Sequence, residues 1–161
     1  MGYAALNSYA QPASAISVEA ENVTRNAAAV IRAVEESQAL FGKKAFAISE
    51  MKVLVDECSE PNWDGYDSKE IDPLVSHNTE KFLRALPDSI PMPEFAPEPD
   101  GEISLDWIVT KHRMFSLSIG KSIRLSYAWL EGTDRGHAVA HFDGYIIPER
   151  ILHNILSILK V

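Results

Sequence analysis

Beyond residue 101 the apolar side chains recur at every second position, and this period constrains the fold more than any other feature of the chain. Alternation of this kind is typical of half-buried β-strands. Polar breaks at residues 111–113, 120–121 and 131–134 separate the alternating runs. Connections this short cannot cross over a sheet, so neighbouring strands must be antiparallel. Residues 100–142 therefore predict an antiparallel β-meander of about four strands.

Residues 17–86 have helical periodicity instead, and they predict three helices. The first begins at Ser17, a candidate N-cap, and ends at Phe41, because Gly42 is a common helix stop. The second ends near Pro61. The third begins with a proline. This position tolerates proline because an N–H there would form no hydrogen bond within the helix.

The remaining segments complete an α+β domain. Residues 1–16 lack a clear period and predict a loose arm. Five prolines restrict residues 87–99 to an extended path, with at most an edge strand near 94–96. Residues 148–160 predict a C-terminal helix whose apolar face covers one side of the sheet. At this length we expect one domain, residues 1–161.

Charge is distributed unevenly along the chain. The formal net charge is −8, and residues 1–100 contain 17 acidic and 8 basic side chains. The acidic residues are densest from Glu50 to Asp72, where eight of them accompany two lysines. This balance opposes binding to nucleic acid, whose affinity comes mainly from Lys and Arg. The segment is either a solvated face or a surface that binds a basic partner.

The location of the protein is predicted from what the sequence lacks. No Lys or Arg occurs in the first 24 residues, so a secretory signal is not expected, and no apolar run is long enough to cross a membrane. Cys58 is the single cysteine and excludes an internal disulfide. Its helical position predicts a buried, inert thiol. We therefore expect a cytoplasmic protein without membrane contact.

The loop after the second predicted helix contains two large aromatic residues, Trp63 and Tyr66, on either side of Asp64-Gly65. A glycine here permits a positive φ angle, and Asp64 is suited to accept hydrogen bonds from the backbone of its own turn. Two interpretations stay open. The aromatic rings either cover the core as a lid or form exposed anchors of a binding surface.

Common arrangements of catalytic or metal-binding residues were not found. Glu102 and Asp106 would lie about 13 Å apart on one strand, too far for a simple carboxylate pair. His137 and His141 have the same spacing and could not chelate one ion. The sequence contains neither a nucleophile elbow nor a phosphate-binding glycine loop. We expect no catalytic residue, metal or cofactor, and a protein that is not an enzyme.

Residues 60–160 carry short motifs that set them apart from the helical segment before them. These are Trp63-Asp64-Gly65-Tyr66, Phe82-Leu83 with Leu86-Pro87, Pro99-Asp100-Gly101-Glu102-Ile103 with Leu105 and Trp107, Phe115-Ser116-Leu117-Ser118-Ile119-Gly120, and Leu125-Ser126-Tyr127-Ala128. In these motifs the chain resembles a group of short bacterial proteins with no established activity. The resemblance implies a bacterial cytosolic domain of accessory or mobile genes, and it transfers no catalytic residue.

The sequence thus favours an interaction protein that binds a basic protein partner, such as an antitoxin, an immunity protein or an inhibitor, including inhibitors of the anti-CRISPR kind. The predicted binding residues are Asp56, Glu57, Glu60, Trp63, Asp64, Tyr66 and Asp67.

Two alternatives remain. A small-molecule binding module or an enzyme would have a pocket between the sheet and the helices, with Trp107, Tyr127 or Trp129 as its walls. An assembly protein would instead dimerise through the helix from Ser17 to Phe41, whose apolar stripe is narrow and rich in alanine.

Overall fold

The structure is a computed structural model that describes residues 18–160, apart from the side chains of residues 18–21, 35–38, 40 and 41. The predicted arm at 1–16 and the predicted N-cap Ser17 lie outside the described residues. The chain divides into two compact units, Met1–Ala39 and Leu40–Val161. The core and the candidate site belong to the second unit, and the expectation of one domain stays a prediction.

Helix α1 spans Val18–Glu57 without interruption, so the predicted break at Gly42 is wrong. A glycine ends a helix when it adopts a positive φ angle, and Gly42 is not among the glycines that do. Within a helix it costs only about 1 kcal/mol relative to alanine. None of the helices in the described part of the chain combines the length and apolarity that a membrane-spanning helix needs.

The two halves of α1 differ in burial. Residues at helical spacing in its C-terminal part are buried, as predicted, and they are Ala47, Ile48, Met51 and Val55. Apolar residues at similar spacing in its N-terminal part are exposed, and they are Val23, Val30, Ile31 and Val34. Helical periodicity thus identified the apolar face in both halves, but not whether anything covers it.

Helices α2 and α3 follow the predicted bounds closely. Helix α2 spans Pro73–Ala85, and the Asp72 side chain caps it by accepting a hydrogen bond from the Leu74 amide at 2.8 Å. Helix α3 spans Glu149–Leu159. Each helix buries one face, through Val75, Thr79, Phe82 and Leu83 in α2 and through Ile151, Ile155 and Ile158 in α3.

The predicted meander is confirmed, with five strands rather than four. The strands are β1 (Glu94–Pro97), β2 (Ile103–Thr110), β3 (Arg113–Ile119), β4 (Arg124–Glu131) and β5 (Asp134–His141). They form one antiparallel sheet in the order β1-β2-β3-β4-β5. The additional strand, β1, is the edge strand that the sequence allowed near residues 94–96.

Side chains alternate between the two faces of the sheet. The core face carries the apolar set Ile103, Leu105, Trp107, Phe115, Leu117, Ile119, Leu125 and Tyr127. The other face, called the open face below, carries small and polar residues that include Ser104, Ser116, Ser118, Ser126 and Ala128. An antiparallel sheet can be solvated on one side in this way.

Candidate functional site

The loop of residues 59–72 is fixed at two points by backbone hydrogen bonds. The Ile71 amide donates to the Cys58 carbonyl at 2.9 Å, at the end of α1. The Lys69 amide donates to the Pro99 carbonyl at 2.8 Å, in the turn before β2. The backbones of three segments that carry acidic residues are thereby joined: the end of α1, the loop, and the turn of residues 98–102.

Asp64 shapes the first turn of the loop. One oxygen of its carboxylate accepts hydrogen bonds from the amides of Tyr66 at 2.7 Å and Ser68 at 3.3 Å. Gly65, between Asp64 and Tyr66, has a φ of 77°, as the Asp-Gly pair indicated. The Tyr66 amide, followed by Ser68, lowers the pKa of Asp64. The Asp64 carboxylate therefore stabilises the loop conformation through hydrogen bonds within the loop.

Asn62 closes the same loop from the other side. Its amide donates to the Ser68 carbonyl at 2.7 Å, and its side-chain oxygen accepts from the Asp67 amide at 2.8 Å. Asn62 and Asp67 have φ angles of 63° and 70°, in the left-handed region that Asn and Asp tolerate better than most residues. The backbone is held firmly while the Asp67 side chain stays exposed.

The two aromatic residues of the loop differ in burial, and this decides which of the two interpretations applies to each. Trp63 is half-buried, packs against the core and donates its indole N–H to the Lys69 carbonyl at 2.9 Å. Tyr66 is 89% exposed. Trp63 therefore acts as a lid, and Tyr66 is the one with a ring free to contact a partner.

The turn of residues 98–102 can lie against the loop because Gly101 has no side chain. Its φ is 89°, and a Cβ atom there would come within 2.9 Å of the Glu70 carbonyl oxygen. A contact that short between a Cβ and a backbone oxygen would force one segment to move. Gly101 thus allows the acidic residues of the loop and the turn to be neighbours.

Three carboxylates converge at this turn, those of Glu98, Asp100 and Glu102, with one oxygen of each within 4.8 Å of the others. Glu98 accepts a hydrogen bond from the Ser118 hydroxyl at 2.6 Å. Burial raises the pKa of Glu102, the charges of Asp100 and Glu98 raise it further, and Arg124 offsets part of the effect. The raised pKa of Glu102 therefore reflects its burial first and the neighbouring negative charges second.

The sequence interpretation missed this cluster because it compared Glu102 with Asp106 along one strand. The available signal was the repeat Glu98-Pro-Asp100-Gly-Glu102, which places an acid at every second residue around a turn. Carboxylate oxygens of this kind suit a hard divalent cation or the cationic groups of another protein. The expectation that the protein binds no metal stays a prediction.

Few of these acidic residues have a cationic partner in the part of the chain that the structure describes. The ion pairs among the described residues are Lys44–Asp88, Lys52–Glu80, Arg84–Glu80 and Lys121–Asp72. From the segment Glu50 to Asp72, only Lys52 and Asp72 take part. The name acidic surface is used below for Asp56, Glu57, Glu60, Asp64, Asp67, Glu70, Glu98, Asp100 and Glu102.

The position of Asp56 and Glu57 opposes the helix dipole. Both lie in the last turn of α1, where the dipole favours cations, and that turn contains no basic residue. Cys58, directly after them, is buried, and burial followed by the Glu57 charge raises the pKa of its thiol. The thiol is therefore protonated at neutral pH, as expected for an inert core cysteine.

The aromatic residues proposed as pocket walls fill the core instead. Trp107 and Tyr127 are each 3% exposed, and the Trp107 indole N–H donates to the Pro91 carbonyl at 2.8 Å. Phe115 lies between them, with ring centroids 5.9 and 5.6 Å away, and Trp129 continues the row 6.1 Å beyond Tyr127. Rings that pack on one another in this way do not wall an open pocket.

The remaining polar candidates lie on the open face. Asp106 accepts a hydrogen bond from the Ser104 hydroxyl at 2.9 Å. His137 and His141 are exposed on β5.

No protein family model, curated protein or solved structure matches the chain.

Proposed function

We propose that the protein is a non-enzymatic interaction protein of the bacterial cytoplasm, of the antitoxin, immunity or inhibitor kind, and that its acidic surface binds a basic protein partner. The observation that carries the proposal is that backbone contacts join three acid-rich segments, and that most of their carboxylates form none of the ion pairs found among the described residues. Such a surface attracts a cationic partner and repels nucleic acid.

The position of the charges supports binding more than it supports folding. A carboxylate at the C-terminal end of a helix is unfavourable by a few tenths of a kcal/mol or more. Asp56 and Glu57 both occupy such positions. The three carboxylates of Glu98, Asp100 and Glu102 also converge within 4.8 Å, and the charges of Asp100 and Glu98 add to burial in raising the pKa of Glu102. A basic partner would relieve both unfavourable arrangements at once.

The predicted residues have different parts in this proposal. Asp64 and Trp63 hold the loop in place. The exposed side chains of Glu57, Glu60, Tyr66 and Asp67 would contact the partner, with Tyr66 as an aromatic anchor of the kind that dominates interface energies.

The test reverses three charges that the fold does not use. Glu57, Glu60 and Glu70 are exposed, and no hydrogen bond or ion pair of their side chains is found among the described residues. All three are changed to Lys. The matched control changes Glu94, Asp134 and Glu149, which are exposed acids elsewhere, so the net charge rises equally.

Each variant serves as bait in an extract of the producing bacterium, and a captured protein is then purified and titrated. We expect the same basic partner with the wild-type and control baits, and none with the acidic-surface variant. Equal loss in both variants would mean that net charge alone is responsible. Equal retention in both would contradict the proposed surface.

A second candidate function, assembly through α1, is favoured by one observation. Val23, Val30 and Val34 lie at spacings of seven and four residues and are at least half exposed. Such spacing is typical of a helix–helix seam.

Sedimentation velocity over a range of concentrations tests this candidate. If it is correct, Val30→Glu abolishes a concentration-dependent dimer and Ala29→Glu, an exposed position beside the seam, does not. A wild-type monomer at high concentration would contradict it.

A further inference from the structure

The two edges of the sheet differ in how open they are. Strand β1 has four residues, ends at Pro97 and follows Pro93, and proline has no amide N–H, so its edge is short and poor in amide donors. Strand β5 has eight residues and no proline. The sheet order ends at β5, whose pairing partner is β4. Strand β5 thus has the long edge that β1 lacks.

The alternation of hydrogen bonds identifies which groups of β5 point outward. The Phe142 amide, directly after β5, donates to the Ile123 carbonyl at 2.8 Å and so points toward β4. In an antiparallel pair every second residue bonds the same neighbour. The backbone N–H and C=O groups of the alternate residues therefore face away from β4, and these residues are Arg135, His137, Val139 and His141.

The two faces beside this edge differ in chemistry. On the open face, β4 and β5 carry no carboxylate, and their residues there are Arg124, Ser126, Ala128, Leu130, Arg135, His137, Val139 and His141. On the core face, the Trp129 ring covers Gly136 so closely that a Cβ at Gly136 would come within 2.3 Å of it. Half-buried Ala138 and Ala140 follow. The edge is polar and cationic on one face and apolar on the other.

We propose that β5 binds an extended segment of a partner protein as a sixth strand of the sheet. Main-chain hydrogen bonds to the outward groups of β5 supply the affinity, and alternate side chains supply the specificity. The segment that fits alternates acidic residues, beside Arg135 and His137 on the open face, with apolar residues, beside Trp129 on the core face. This site shares no residue with the acidic surface, so either proposal can fail alone.

A second copy of β5 is a poorer occupant. In a two-fold pairing centred on Ala138, Arg135 lies opposite His141. In a pairing centred on His137, that residue lies opposite its own copy. Neither arrangement places a carboxylate opposite Arg135, so a second copy of β5 lacks the charge complementarity that an acidic segment offers.

Amide hydrogen exchange measured by NMR tests the proposal with defined peptides. One probe is an eight-residue peptide of alternating Glu and Val, matched to the length of β5, and the other replaces Glu with Lys. Without peptide, the amides of Gly136, Ala138 and Ala140 should be protected by β4, and those of Arg135, His137 and Val139 should exchange rapidly. The Glu-Val peptide should protect the second set, and the Lys-Val peptide should not.

Charge reversal on β5 sharpens the test. The double variant Arg135→Glu, His137→Glu should weaken binding of the Glu-Val peptide about tenfold, because it places two carboxylates of β5 directly opposite carboxylates of the peptide. Arg150→Glu, at an exposed position of α3, is the control and should change binding less than about twofold. Both variants alter exposed side chains only, and retained protection of Ala138 verifies that they fold.

Three outcomes would overturn the proposal. Neither peptide protects the outward amides, or both protect them equally. The third outcome is that the outward amides of β5 are protected without peptide. If this protection increases with protein concentration, a second copy covers the edge. If it does not, the chain itself covers the edge.

Discussion

The end of α1 and the start of α2 lie on either side of the same loop, and both carry carboxylates with opposite effects on their helices. Asp72 caps α2, where the dipole favours negative charge, and pairs with Lys121 at 2.9 Å. Asp56 and Glu57 lie at the end of α1, where negative charge is unfavourable. The position of a carboxylate relative to the helix dipole thus distinguishes acidic residues that stabilise the fold from those that do not. The functional proposal rests on the residues that do not.

Gly101 is the position where a substitution should have the largest effect on the acidic surface. Gly101→Ala forces a Cβ atom against the Glu70 carbonyl in a backbone conformation that alanine adopts poorly. We expect a loss of about 2–3 kcal/mol in the free energy of unfolding, measured in urea. Gly132→Ala is the control, since its φ is also positive but nothing lies within 4 Å of its Cβ. Equal losses would mean that contact between loop and turn contributes nothing.

Asp72 should show the next largest effect, and the effect should depend on pH. The Leu74 amide and Lys121 lower its pKa from 3.8, so its contribution to stability is complete above that value and is lost as the pH falls through the lowered pKa. Asp72→Ala should lower the Tm by about 5 °C at pH 7. The difference from wild type should shrink in strong acid.

Asp72→Asn separates the cap from the charge in this comparison, because asparagine is an equally good N-cap. It should be more stable than Asp72→Ala at pH 7. If the two variants unfold at the same temperature, the hydrogen bond to Leu74 does not stabilise α2.

Glu102 should behave in the opposite way to Asp72. Burial and the charges of Asp100 and Glu98 raise its pKa above 4.5, so the fold is favoured while the carboxyl is protonated, and that advantage is lost as the pH rises through the raised pKa. Glu102→Gln should therefore stabilise the protein at pH 7, by at most about 1 kcal/mol because the group is half-exposed. The gain should vanish below pH 4.5, and a loss at pH 7 would contradict the repulsion inferred here.

The elements with strong local signals could be predicted from sequence. Alternation predicted the meander, and Asp72-Pro73 predicted the start of α2. The break at Gly42 was predicted wrongly because a glycine is compatible with both a helix interior and a helix end, and its φ angle decides between them. Local pattern therefore determines the element type better than it determines where a long helix ends.

The candidate site was only partly predictable, for a related reason. The loop from Glu60 to Asp67 is local, so its turn chemistry could be inferred from Asp64-Gly65. Its contact with the turn of residues 98–102 depends on a backbone hydrogen bond between Lys69 and Pro99, about thirty residues apart. Nothing in the local pattern of either segment indicates that pairing, so the contact between loop and turn could not be predicted, whereas the acidic repeat from Glu98 to Glu102 was a local signal.

Glu57 gives the smallest expected effect and the most direct test of the opening comparison. Glu57→Lys replaces an unfavourable charge at the end of α1 with a favourable one, and we expect a gain of about 0.5 kcal/mol in unfolding free energy at low salt. The gain should decrease at high ionic strength, because the side chain is exposed and its interactions are screened. Glu60→Lys lies beyond the helix and should change stability less. If Glu57→Lys is more stable than wild type but binds the partner more weakly, Glu57 serves binding at the expense of helix stability. If Glu57→Lys is less stable than wild type, Glu57 stabilises the fold, as Asp72 does.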